Sequence, residues 1–294
     1  MTTEAESSPK PPPKQLRSVE EFLDARKKRP ERSDDHRDAV ALRPTDVVIA
    51  PYAKCGTTWM QQTVHTLRTG GDLDFDDISR MIPFIEANDL LKLDLDAEQR
   101  AEPRAFKAHL GWDHVPRGGR YIVVFRHPVD AARSSANFLD GMMFERGAVA
   151  VDEYIQKLFL PERSYYRHLR SWWPRCHDDD TLFLGYEQML EDPESAIRRV
   201  SDFIGISLTP ELLATTLRHT SREFMLEHGD RFDDRMMRDA GIMPAGSDAA
   251  KVTVGKSRAP LDPETTALLD QAWSEEITES LGFQSYADLR AELT

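Results

Sequence analysis

Residues 53–59 read Ala-Lys-Cys-Gly-Thr-Thr-Trp and join a short β-branched run, Val47-Val48-Ile49-Ala50, to a helical pattern in which Met60, Val64 and Leu67 share one face. A loop that leaves a buried strand and enters a helix offers unpaired backbone N–H groups at the positive end of the helix dipole. Phosphate or sulfate binds at such a place. Gly56 permits the close turn, Thr57 and Thr58 add hydroxyl donors, and Lys54 adds a full charge. The loop departs from the nucleotidase P-loop, whose Gly-Lys-Ser/Thr ending puts lysine after glycine, because Lys54 comes before Gly56. A second chemical pair sits in Phe106-Lys107-Ala108-His109-Leu110, read as a strand. Alternation places Lys107 and His109 on one face, near a strand end where ligands of α/β sheets collect. An imidazole, with a free pKa of about 6.5, is suited to taking a proton near neutrality. A histidine satisfied in the core is the competing reading.

The elements that must hold these residues follow from apolar runs. The third strand is Tyr121 to Phe125 after the Gly118-Gly119 turn, and Pro128 then opens a helix. The fourth strand is Leu182 to Leu184, followed by a helix through Ile197, Val200 and Ile204 that ends near Gly205. Strands alternating with helices imply βαβ units and a mainly parallel central sheet flanked by helices on both faces. A helical insertion is expected from Val151 to Trp173, a core stripe in Leu269, Trp273, Ile277 and Leu281, and a loop from Gly241 to Ala250. Residues 1–16, with their proline cluster, read as a flexible arm ahead of one domain over 17–294.

Composition narrows the function. The formal charge of −13 and pI near 5.2 exclude general binding to nucleic acid or anionic membrane, so an anionic ligand needs a local basic pocket. Cys55 and Cys176 have no metal-ligand spacing, and no metal is expected. No signal-peptide core and no run approaching the roughly 18 apolar residues of a membrane span is present, so a cytoplasmic location is expected.

The Lys54–Trp59 loop resembles the Pro-Lys-Ser-Gly-Thr-Thr-Trp loop of the sulfotransferases of cytosolic type that use 3'-phosphoadenosine 5'-phosphosulfate (PAPS), with Ala53 and Cys55 in place of proline and serine. The resemblance implies a P-loop NTPase-like core. It also implies that Lys54, Cys55, Gly56, Thr57 and Thr58 cradle the 5'-phosphosulfate while Trp59 stacks on adenine. Arg126-His127-Pro128-Val129-Asp130 and Ser134 match the family's Arg-Asn-Pro-x-Asp-x-x-x-Ser in spacing, which implies a 3'-phosphate site at Arg126 and Ser134. A guanidinium offers phosphate a planar set of charge-assisted donors. Tyr186, in Tyr-Glu-Gln-Met, corresponds to the family's adenine-contacting tyrosine. Ser221 falls in a Ser-Phe-x-x-Met element where Arg222 replaces the aromatic, so Phe224 is the substitute expected. Lys251 and Gly255 align with the last 3'-phosphate segment. Lys107 and His109 reproduce the Lys-x-His beside the sulfur, which implies His109 as base and Lys54 and Lys107 as charge stabilisers.

The acceptor is expected to be a small apolar alcohol, namely a phenol, sterol or lipid alcohol, with Phe84, Trp112, Phe138, Met142, Met143 and Phe144 as pocket candidates. The product nucleotide would be 3',5'-adenosine bisphosphate. Two other readings stay open: a P-loop small-molecule kinase, and a nucleotide-binding relative without catalysis. Oligomeric state is left open too.

Overall fold

Four apolar runs build one parallel sheet in the computed structural model, which describes residues 13–28, 35–244, 246–248 and 259–293. β1 is Val47–Ile49, β2 Ala105–Lys107, β3 Arg120–Phe125 and β4 Thr181–Gly185, in the order β2-β1-β3-β4. Ile49 of β1 lies opposite Lys107 of β2 on one side and Ile122 of β3 on the other. Because successive strand residues point to opposite faces, each strand feeds two cores. Val48, Phe106, Val123 and Phe183 pack with Leu169, Trp172 and Leu269 on one face. Val47, Ile49, Ile122 and Leu184 pack with Met60, Val64, Ile197 and Val200 on the other. The helix Thr57–Thr69 and the helix Pro193–Ile204, both foreseen from their apolar stripes, supply that second layer.

The strand order has a functional consequence. The chain leaves β1 toward β2 but leaves β3 toward β4, so the two connections diverge and open a crevice at the carboxyl ends of β1 and β3. Open α/β sheets bind ligands at such a switch point. The Lys54 loop follows β1 and Arg126 follows β3, which puts both on that crevice.

The helical insertion is broken rather than continuous. Val151–Tyr154 runs into a π turn at Ile155–Phe159, and a second helix, Ser164–Trp172, restarts after Arg163 with φ +52°. The C-terminal stripe holds, with Leu269, Trp273 and Ile277 buried. A strict four-residue spacing outruns the 3.6-residue turn of an α-helix, and the wider π turn at Ser274–Thr278 takes up the excess. The end of the expected arm is tied down where it is described: Leu16 N–H donates to Met143 O at 2.8 Å, and Glu145 N–H donates to Leu16 O at 2.8 Å. Among the described residues no helix is long and apolar enough to cross a membrane.

Candidate active site

The loop after β1 is shaped for an anion. Lys54 and Gly56 both have left-handed backbone, with φ +68° and +98°, so the chain curls before entering the helix Thr57–Thr69. Gly56 caps that helix without a side-chain acceptor, and no carboxylate stands in its first turn. The N–H groups there therefore keep their attraction for an external anion. Thr57 Oγ1 is buried without a protein partner, which adds a hydroxyl to the same place. A Cβ on Gly56 would come 3.0 Å from Tyr186 Cδ2, so the turn is closed against that ring as well as conformationally demanding.

Cys55 corrects the sequence expectation. Its side chain is fully buried in the core, and its N–H donates to Tyr52 O at 3.1 Å, so it does not face the anion space. Burial pushes the thiol up to about 12, opposed by the nearby charges of Arg126 and Lys54.

Arg126 reaches the first loop across the crevice. Its Nη1 donates to Lys54 O at 2.7 Å, its guanidinium stacks 4.3 Å from the centre of the Tyr186 ring, and its Nε is buried without a protein acceptor. Tyr186 also meets Trp59 edge-on at 5.8 Å, so one ring joins the two anion elements. The turn that launches Arg126 is held from two sides: Tyr165 Oη donates to Arg126 O, and His127 N–H donates to Glu187 Oε1 at 2.9 Å. Pro128 then starts the helix Pro128–Leu139, which carries Ser134 in a half-buried position.

A second group gathers at the end of β2. Lys107 is 5% exposed, with Nζ 4.1 Å from the centre of the Phe84 ring. His109 lies two residues past the end of β2, because this strand stops at Lys107 and does not continue to Leu110 as expected. Its ring meets Phe84 edge-on at 5.3 Å, and its Nδ1 lies 2.9 Å from Pro51 O. A carbonyl can only accept, so the neutral imidazole carries its proton on Nδ1 and presents Nε2 as the basic nitrogen. Lys54, in the loop after β1, has its Nζ 3.8 Å from the centre of the Phe138 ring.

Glu86 is the site residue the sequence reading missed. Its Oε1 accepts the His109 N–H at 2.6 Å, while Oε2 is buried without a partner. Burial pushes its carboxyl up to about 7, with the His109 N–H and the Lys107 charge pulling the other way. The available signal was a lone carboxylate inside the apolar stretch Met81-Ile82-Pro83-Phe84-Ile85 and Ala87.

Other expected residues have different surroundings. Ser221 caps the helix Arg222–Glu227 by accepting the Phe224 N–H at 3.2 Å, and Phe224 stacks on His219 at 4.6 Å. Next to them, Met225 joins Ile78 and Phe232 in a cluster against which Trp59 packs. Phe84 and Phe138 stand beside Lys107 and Lys54, but Trp112 and Phe144 do not support the pocket expectation. Trp112 is stacked by Arg117 and Arg175 and packs on Tyr121 and Trp172. Phe144 is 1% exposed and packs against Phe22, because the Leu16 strap covers it. Met142 and Met143 are half-buried, and Met143 packs on the same core. Lys251 and Gly255 lie outside the described residues. Among the described residues, no three His, Cys, Asp or Glu side chains gather as a metal site.

A sequence profile of the Sulfotransferase domain matches residues 44–280. Sulfotransferase 1E1 of Cavia porcellus is 30% identical over 204 residues, covering 65% of this chain and 69% of that protein. The Homo sapiens protein of the same name is 29% identical over 204 residues, with coverage of 65% and 69%. In three dimensions the chain is similar to retinol dehydratase in a complex with retinol and PAP, with TM-score 0.66, 23% identity and coverage of 84% and 85%. It is also similar to mouse sulfotransferase SULT7A1 complexed with PAP, with TM-score 0.61, 20% identity and coverage of 84% and 89%. The kinase reading left open by the loop falls with the profile match. This chain belongs to the sulfotransferase family and is an enzyme of sulfuryl transfer.

Proposed function

We propose that the protein takes a sulfuryl group from PAPS and delivers it to the hydroxyl of a small apolar acceptor, with His109 as general base. The observation that carries this is the meeting of two anion-binding elements. Arg126 bonds to the Lys54 carbonyl across the β1–β3 crevice, Lys54 Nζ stands over the Phe138 ring, and Lys107 and His109 stand together against the Phe84 ring. The donors fit a nucleotide charged at two ends: the helix-start N–H groups and Thr57 Oγ1 for one, the Arg126 guanidinium for the other. Trp59 and Tyr186 give the base an aromatic wall between them.

PAPS supplies an activated sulfuryl group on a phosphate leaving group, and the protein supplies position and charge. His109 Nε2 takes the acceptor's hydroxyl proton, while the Pro51 carbonyl keeps Nδ1 protonated and the ring oriented. As the acceptor oxygen bonds to sulfur and the bond from sulfur to the phosphate oxygen breaks, negative charge moves to that phosphate oxygen. Lys54 and the loop N–H groups meet it there, and Lys107 steadies the sulfuryl oxygens. Phe84 and Phe138 give the reacting side an apolar border, which suits a phenol, sterol or lipid alcohol. The retinol bound to retinol dehydratase is an alcohol of this kind.

His109→Ala tests the assignment. Turnover with PAPS and a phenol or sterol panel should fall about 10²- to 10⁴-fold while affinity for 3',5'-adenosine bisphosphate stays within twofold. Turnover within a few-fold of wild type would remove His109 from the base role.

A further inference from the structure

The chain continues past residue 280, where the family match ends, into a short helix, Tyr286–Ala291, closed by a capping box between Ser285 and Asp288. This helix is docked, with Tyr286 at 6%, Leu289 at 0% and Leu293 at 3% exposure. Its hydrogen bonds run toward the nucleotide side of the site. Tyr286 Oη donates to Glu187 Oε2 at 2.7 Å, and Gln188 Nε2 donates to Arg290 O at 3.3 Å. The other Glu187 oxygen accepts the His127 N–H at 2.9 Å, and the Tyr286 ring meets the His127 ring edge-on at 5.3 Å.

We infer that Tyr286 is a positioning residue for the Arg126 anion site, acting through Glu187. The chain of contacts is short and directional. Tyr286 fixes the plane of the Glu187 carboxylate, and that carboxylate fixes the His127 N–H. His127 is the residue between the Arg126 guanidinium and the Pro128 that starts the helix bearing Ser134. The same helix turn that holds Glu187 holds Tyr186, whose ring lies under Arg126. Losing the phenol hydroxyl leaves one carboxylate oxygen without its donor and lets Glu187 turn. The His127 turn then loosens and Arg126 loses its aim. Burial raises the Tyr286 phenol above its ordinary value, so the hydroxyl stays protonated and remains a donor across the working pH range.

The inference rests on reading Arg126 as the holder of the 3'-phosphate, and the test separates the two. Binding of 3',5'-adenosine bisphosphate and of adenosine 5'-monophosphate is measured by calorimetry on the full chain, and their affinity ratio reports the 3'-phosphate contribution alone. Tyr286→Phe should weaken the bisphosphate about five- to tenfold, the size expected for one buried hydrogen bond, while changing the monophosphate less than about twofold. KM for PAPS should rise in step, with kcat within about twofold. Glu187→Ala should give the same selective loss from the other end of the link. Leu289→Ala, on the same helix with its side chain buried in the apolar core, should lower the melting temperature and leave the ratio unchanged.

A wild-type protein that does not prefer the bisphosphate would sink the reading of Arg126. If the wild type prefers it and both Tyr286→Phe and Glu187→Ala keep the preference, the Tyr286 link is overturned. Equal loss of the ratio in Leu289→Ala would reduce the helix to a structural support and overturn it too.

Discussion

Replacing Glu86 by glutamine separates its structural from its electrostatic effect. An amide oxygen can still accept the His109 N–H, so the contact recorded at 2.6 Å survives while the charge disappears. In the wild type the folded carboxyl titrates at about 7 against an ordinary value of 4.5, because burial disfavours the ion. A raised carboxyl pKa means that the native state holds the proton more tightly than the unfolded chain. The associated stability is complete below about pH 4.5 and is lost as pH rises through about 7. With a shift of this size, the wild type should lose about 2.5 kcal/mol between about pH 5 and about pH 8 from this group alone. Glu86→Gln has no such titration, and the amide hydrogens facing the unpartnered Oε2 position add only a pH-independent penalty. Parallel urea melts of the two proteins across that range should show the variant gaining on the wild type by about that amount as pH rises. A difference that stays flat from acid to alkaline pH would show that Glu86 is not held as a desolvated acid, and the account of this side of the site would fail.

The loop makes two further predictions. Gly56→Ala meets both a left-handed backbone and the Tyr186 ring at 3.0 Å, so it should cost about 1–3 kcal/mol and weaken 3',5'-adenosine bisphosphate at least tenfold. Wild-type affinity in calorimetry would contradict the tight closure of that turn. Cys55, fully buried with its thiol pushed up to about 12, should ignore an aromatic disulfide reagent at about pH 8 in native protein. A Cys176→Ser variant should therefore release no thiol signal until denaturant is added, and rapid native labelling would contradict the burial.

Much of the sheet is legible from sequence because buried parallel strands are continuous β-branched and aromatic runs. Tyr121 to Phe125 and Leu182 to Leu184 differ from β3 and β4 by a residue at the ends. The second strand is shorter than its apolar run suggests. Past Lys107 one more bond reaches the neighbouring strand, from the Ala108 N–H to Ile49 O, and the His109 N–H then turns to the Glu86 side chain. Lys54, Gly56, Arg126, Tyr186, Lys107 and His109 stand out in the sequence because each falls in a short motif in or just after a strand. Glu86 and Tyr286 were not, since their partners are 23 and 99 residues away and no local pattern encodes such pairings. Aromatic and methionine residues near a motif are a weak guide to a pocket. Phe144 and Trp112 both bury against distant elements, Phe22 in one case and Trp172 in the other.

The parallel pairing of β1 with β3 works as a yardstick. Ile49 is matched with Ile122, and neighbouring strands stand about 4.8 Å apart, so the interval between the strand ends from which the Lys54 turn and Arg126 depart is set by backbone ladder spacing. Amino-acid exchanges inside the turn, such as alanine for proline at residue 53 or cysteine for serine at residue 55, leave that interval alone. Phe138 sits on the helix Pro128–Leu139 and Phe84 bridges to Lys107 of β2, so neither side chain belongs to the β1–β3 pairing. Side chains at these two positions can thus change without resetting the spacing of the two strand ends.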